Sequence, residues 1–110
     1  MGSSRIEALI SEFRQYGIHR RGTNYFCRRT ALEIVDRCEA IGICILGIDG
    51  FYLTADSTEQ PIDWILDLSG ARTGPSAYNV ARMFFQNASD LPLFYEFVLD
   101  DPANTDANEC

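Results

Sequence analysis

The 110-residue chain contains no lysine, a single histidine and a single tryptophan; all nine of its basic residues are arginine. No apolar run approaches the ~20 residues a membrane helix needs, and no secretory leader pattern is present. Neither GxGxxG nor GxxxxGK[ST] occurs, so the common glycine-rich phosphate cradles are missing. The four cysteines, Cys27, Cys38, Cys44 and Cys110, form no CxxC pair and no zinc-finger spacing. Cys38 and Cys44 stand among apolar neighbours, where free cysteine behaves as a small hydrophobe. A reducing compartment, and hence the cytoplasm, is the expectation.

What is present describes an ordinary folding chain. Hydrophobic residues make up 46% and charged residues 23%, enough apolar surface for a core in one domain spanning residues 1–110. The core is expected over residues 4–100, with 101–110 a frayed acidic tail. The formal net charge is −7 and is unevenly spread. Residues 1–30 hold six arginines against Glu7 and Glu12, whereas residues 31–110 hold three arginines against fourteen acids. A body this acidic repels nucleic acid and anionic membranes and attracts basic proteins.

Helical spacing marks three segments. Ser4 and Glu7 form a capping box before Ile6, Leu9, Ile10 and Phe13, with Gly17 as the stop. Thr30 and Glu33 repeat the device before Leu32, Val35, Cys38 and Ile41, predicting a helix over 31–41 that ends at Gly42. Pro75 suits a first helical turn, and Ala77, Ala81, Phe84 and Ala88 share the face that follows. Residues 18–27, broken by Gly22 and Asn24, read as a connection. Strand patterning begins at Ile43: residues 43–46, 51–55 and 62–68 read as a meander, with Asp49-Gly50 as a hairpin turn or bulge and 56–61 as a second turn. Residues 69–76 read as a loop. Leu93, Tyr95, Phe97 and Leu99 alternate in a last strand. The order α-α-β-β-β-α-β implies an α+β two-layer domain with helices packed on a mainly antiparallel sheet of about four strands.

Three sets of residues invite a functional reading. His19 is a conceivable general base, alone or with Cys27, but no nucleophile motif accompanies it. The segment "HRRGTNYFCRR" interleaves Arg20, Arg21, Arg28 and Arg29 with Tyr25 and Phe26, as a nucleic-acid binder would, although the rest of the chain opposes such binding. Asp49, Asp56, Glu59, Asp63 and Asp67 crowd 19 residues without a basic neighbour. Their spacing fits no calcium loop and fixes no glycosidase-like separation, so no metal or cofactor is implied. If 62–68 is a strand, Asp63 and Asp67 face away from Trp64 and Leu66 and offer an outward acidic row to a cationic partner.

The stretches "ALEIVDRCEAIGICILGIDGFYLT", "PIDWILDLS", "ARMFFQNA" and "LFYEFVL" together resemble the small immunity proteins of bacterial polymorphic-toxin systems, in particular immunity protein family forty. The likeness covers about residues 30–99 and rests on Ile45, Leu46, Gly47, Asp49, Phe51, Trp64, Tyr95, Glu96 and Phe97. It implies a bacterial, non-enzymatic inhibitor that binds a co-encoded toxin and blocks its active site. With the charge argument, it makes Asp49, Tyr52, Asp56, Glu59, Asp63 and Asp67 the expected contacts, Tyr52 as an exposed aromatic anchor. Two rival readings stand beside it: a small hydrolase or other enzyme acting through His19 and a nearby Cys or Asp, and a nucleic-acid-binding or regulatory module using the arginine-rich 19–29 segment. Edge pairing of "LFYEFVL" into a homodimer, with Glu96 guarding that edge, is a further expectation.

Overall fold

A computed structural model describes residues 4–68 and 74–102. Three α-helices lie against one curled antiparallel sheet, so the fold is α+β with the helices on one side of the strands. In chain order the elements are α1 (Ser4–Arg14), β1 (Ile18–Arg20), β2 (Thr23–Cys27), α2 (Arg28–Ile41), β3 (Cys44–Leu53), β4 (Thr58–Glu59), a 3₁₀ turn (Ile62–Trp64), β5 (Ile65–Asp67), α3 (Gly74–Asn87) and β6 (Phe94–Asp100). The strand order is β1-β2-β6-β3-β4, with β5 also paired to β3. Six strands replace the expected four, and the last strand in sequence lies inside the sheet.

Residues 62–64, expected to begin a strand, form the 3₁₀ turn, and residues 58–59 of the expected 56–61 turn form β4; two larger departures concern residues 18–27 and β3. Residues 18–27 form a β-hairpin, with Arg20 opposite Thr23 and only Arg21 and Gly22 between them. Their φ angles of 50° and 81° are both positive, the backbone that two-residue hairpin loops require for their twist. Arginine is not a residue that announces this turn, which hides the hairpin from pattern reading. The second difference is β3, a continuous ten-residue strand that runs straight through Asp49-Gly50. Its irregularity falls earlier, at a bulge between Ile45 and Gly47. Gly50 serves close packing instead of a turn: a Cβ there would stand 3.1 Å from the Trp64 Cβ and 3.3 Å from the Tyr95 ring.

The helices follow their apolar faces. Leu9 and Phe13 of α1, Ile34, Val35 and Cys38 of α2, Ala77, Ala81 and Phe85 of α3, and Ala88 just after it, are buried against Phe26, Ile45, Ile48 and Tyr95 of the sheet. Phe85 meets Tyr95 edge-on with ring centroids 4.7 Å apart, a favoured aromatic geometry. The Tyr78 hydroxyl donates to the Ile43 carbonyl at 2.8 Å and ties α3 to the entrance of β3. Gly42 ends α2 in the left-handed region (φ 78°) and returns its N–H to the Cys38 carbonyl. The start of α2 differs from the expected Thr30–Glu33 box: β2 runs directly into the helix, Cys27 occupies the cap without a side-chain capping bond, and Thr30 is buried.

Cys27 and Cys38 are free, and burial pushes the Cys38 thiol up to about 12. Cys44 is disulfide-bonded, which corrects its reading as a reduced small hydrophobe and removes the cysteine argument for a reducing compartment. Asp101, the first residue of the expected frayed tail, is 3% exposed and pairs with Arg5 at 3.2 Å; residues 103–110 lie outside the described residues, as does most of the 69–76 loop. No helix among the described residues is long and apolar enough to cross a membrane.

Candidate functional site

Strand alternation divides the sheet into two faces. Phe26, Ile48, Gly50, Tyr52, Tyr95 and Phe97 turn toward the helices. Gly47, Asp49, Phe51, Glu96, Val98, Ile65 and Asp67 turn the other way, onto a face that none of the described helices covers. Register sets the rows of this open face: Ile65, Asp49 and Glu96 lie side by side across β5, β3 and β6, and Asp67, Gly47 and Val98 form the next row.

Asp49 and Glu96 are therefore directly opposed in the central ladder. Like charges placed opposite one another destabilise a sheet pair. Burial raises the Asp49 carboxyl above its ordinary range; burial, and then the Asp49 charge, raise Glu96. Neither carboxylate reaches a cation among the described residues. Around them are exposed aliphatics, Ile65 at 48% and Val98 at 46% exposure. Between the two lies a shallow depression of about 360 Å³, floored by Gly47 and bounded by Leu46, Asp49, Ile65, Leu66, Asp67 and Val98.

The expected contact residues divide. Asp49 and Asp67 share the open face, and Asp63 is exposed on the 3₁₀ turn just before β5. Asp56 and Glu59 lie elsewhere, in the β3–β4 turn and on β4, both exposed. Tyr52 requires correction as an exposed anchor: it is on the helix-facing side of β3, partly buried against the core. The exposed apolar residues of the open face are Ile65 and Val98 instead. Glu96 also moves from its expected role, because β6 is flanked by β2 and β3. The proposed edge for homodimer pairing is thus occupied within the chain, and Glu96 belongs to the open face. Only strand order reveals that placement; the local pattern of "LFYEFVL" does not contain it.

The arginine-rich segment is largely engaged in holding the fold. The sheet curls at this end so that Tyr25 of β2 and Phe51 of β3 meet with centroids 5.1 Å apart. Arg20 spans the curl and donates to the Ser57 carbonyl (2.8 Å), the Thr58 hydroxyl (3.1 Å) and the Thr54 carbonyl. Arg28 donates from Nε to the Phe85 carbonyl at 2.9 Å. Tyr25 and Phe26 are buried, at 8% and 1% exposure, so their rings are not open for base stacking. Arg21 and Arg29 remain exposed. A cleft of about 590 Å³ lies between the hairpin and the β3–β4 turn, but its lining joins Arg20 and Arg21 to Asp56, a mixed field with no clear sign.

His19 shares a hydrogen bond between Nδ1 and Asn24 Oδ1 at 2.9 Å. Asn24 is its cross-strand neighbour, and Cys27 lies three residues further along β2, roughly 10 Å away and on the opposite face. The two are not assembled as a dyad. Burial pushes the Cys27 thiol up, but the Thr30 and Arg29 backbone N–H groups, the Thr30 hydroxyl and the Arg29 charge outweigh it and leave the thiol below its ordinary value. Among the described residues, no group of three or more His, Cys, Asp or Glu side chains converges as a metal site would require.

The chain matches no protein-family model, and a comparison with curated proteins finds no match.

Proposed function

We propose that this protein is a non-enzymatic inhibitor, an immunity protein that neutralises a basic bacterial toxin by covering it with the open face of the sheet. The observation that carries the reading is the opposed pair Asp49 and Glu96, held side by side with no cation among the described residues, on a face that also exposes Ile65 and Val98. Surfaces of this kind, acidic with apolar residues interspersed, favour a partner that brings both positive charge and aliphatic area. The net charge of −7 acts in the same direction over longer range. The resemblance to immunity protein family forty supplies the class of partner.

The test is co-expression with the variable C-terminal domain of a secreted protein encoded beside this chain. Rescue of growth and an equimolar complex are expected. In that complex, Asp49→Lys should slow association and flatten its salt dependence, since steering charges act mainly on the on-rate. A toxin left active by the wild-type chain would reject the reading. The alternative, a nucleic-acid module on residues 19–29, has Arg21 and Arg29 in its favour; mobility-shift assays at low salt with Arg21→Glu and Arg29→Glu would detect it.

A further inference from the structure

We propose that the depression over Gly47 is a receptor for one long cationic side chain, lysine or arginine, of the basic protein partner. The inference rests on the inhibitor reading for the partner's identity, but its geometry stands separately. A basic partner needs only negative charge to be attracted. This face offers more than charge.

The floor of the depression is the single position in that row without a side chain. A Cβ on Gly47 would press on the Leu66 carbonyl at 3.3 Å and touch the Val98 Cβ at 3.9 Å; no other described side chain comes that near, and residue 47 lines the depression with backbone alone. Its φ does not demand glycine, since only Gly22 and Gly42 have positive φ among the described glycines. The walls are the exposed aliphatics Ile65 and Val98, with Leu46 next to the floor; Leu66 contributes its carbonyl, since its side chain packs on the helix-facing core. Asp49 stands at one side, with Glu96 next to it in the ladder, and Asp67 at the other.

Apolar walls with carboxylates at the rim match the division of a lysine or arginine side chain, whose methylene stem packs on apolar surface while its charged head stays at the polar edge. A stem laid over Gly47 covers Ile65 and Val98 and brings its head to Asp49. The head then supplies the counter-charge that the Asp49–Glu96 pair does not find within the described residues. A short cation lacks the stem, and an apolar residue lacks the head. The site therefore selects for a long cation and discriminates among equally charged ligands.

Three hexapeptides serve as probes: hexa-lysine, hexa-arginine and hexa-(2,3-diaminopropionate), the last a cationic peptide without the long stem. Each is titrated into the full ¹⁵N-labelled chain at low salt and moderately acidic pH, where the short-stemmed amines stay protonated. Amide shifts concentrated at residues 46–49, 65–67 and 96–98 are expected for the first two, with the third weaker by about fivefold or more. Gly47→Val, which fills the floor, and Val98→Ser, which lowers one wall without crowding β3, should each remove most of that preference; a melting curve confirms that each variant is folded. Equal binding of all three peptides, shifts centred on Asp56 and Glu59 or on the outer face of α2, or no binding would overturn the proposal. Because no toxin enters this assay, such a result leaves the co-expression test of the inhibitor reading standing, and failed rescue would in turn leave the slot measurement intact.

Discussion

On the helical side, Asp36 and Glu39 both grip Arg82, at 2.8 and 2.5 Å, and Glu12 grips Arg37 at 2.5 Å; on the open side of the sheet, Asp49 and Glu96 face each other with no cation among the described residues. The same residue type thus appears in two kinds of company. The helical acids are neutralised locally, and each exposed pair contributes little to stability. The sheet acids work against the fold that carries them. An arrangement that weakens the free protein without an internal benefit is what a surface shaped for a partner produces, because stability and binding are then drawn from different states of the same groups. The apolar residues show a parallel contrast: those facing the helices are buried or partly buried, while Ile65 and Val98 are close to half exposed.

The widest gap between the two faces is expected from truncation. Phe85 is fully buried and touches the rings of Phe84, Tyr95 and Phe97, so Phe85→Ala should lower unfolding free energy by about 3–5 kcal/mol. Val98→Ala on the open face should change it by no more than about 0.5 kcal/mol. Urea melts of both variants measure the difference, and comparable losses would mean that the open face is also core. Gly50→Ala is the next largest. The added methyl would press on the Trp64 Cβ and carbonyl at 3.1 and 3.2 Å and on the Tyr95 ring, for a loss of about 1–3 kcal/mol; a neutral result would show that β5 moves freely away from β3.

Tyr95→Phe sharpens the comparison from inside. Its hydroxyl is buried with no hydrogen-bond partner among the described residues, and burial, opposed by Arg28 and helped by Tyr52, pushes its ionisation up to about 12. An unsatisfied buried hydroxyl carries a desolvation penalty. Removing it should leave stability unchanged or raise it by up to about 1 kcal/mol. A loss above that size in a denaturant melt would reveal a bond to this oxygen.

How much of this was legible before the fold is a matter of range. The 3.6-residue spacing of Val35 and Cys38, the stop at Gly42 and the alternation of Leu93, Tyr95, Phe97 and Leu99 are local, and each marks an element that the structure contains. Arg21-Gly22 misled because a hairpin turn was made by a residue that avoids positive φ. Asp49-Gly50 misled because a glycine can mark either a turn or a close approach, and only Trp64 and Tyr95, distant in sequence, decide which. The acidic character of the candidate face was visible at Asp49 and Asp67. Glu96 was not recognisable as their neighbour, because strand order is set by contacts between residues ~50 apart, where no periodicity extends. The side of Tyr52 escapes the local pattern for the same reason: it is fixed by the register of β3 against β6.

Glu96→Gln gives the smallest expected effect and bears most directly on the contrast. Its carboxyl and that of Asp49 have raised folded-state pKa values, from ordinary values of 4.5 and 3.8. A raised acid means that the folded state holds its proton more firmly than the unfolded chain does, so stability falls as pH climbs from the ordinary value through the raised one. Below that window both states are protonated and the glutamine variant should match the wild type. Above it, at pH 7, the wild type carries the opposed charges and the variant does not. Because Glu96 is partly solvated, screening limits the gain to a few tenths of a kcal/mol. The variant should therefore melt slightly higher at pH 7 and equally at pH 3.5, and the gap should shrink in high salt. A variant less stable at pH 7 would show that Glu96 already has a cationic partner within the chain, and the open face would lose the feature that separates it from the helical one.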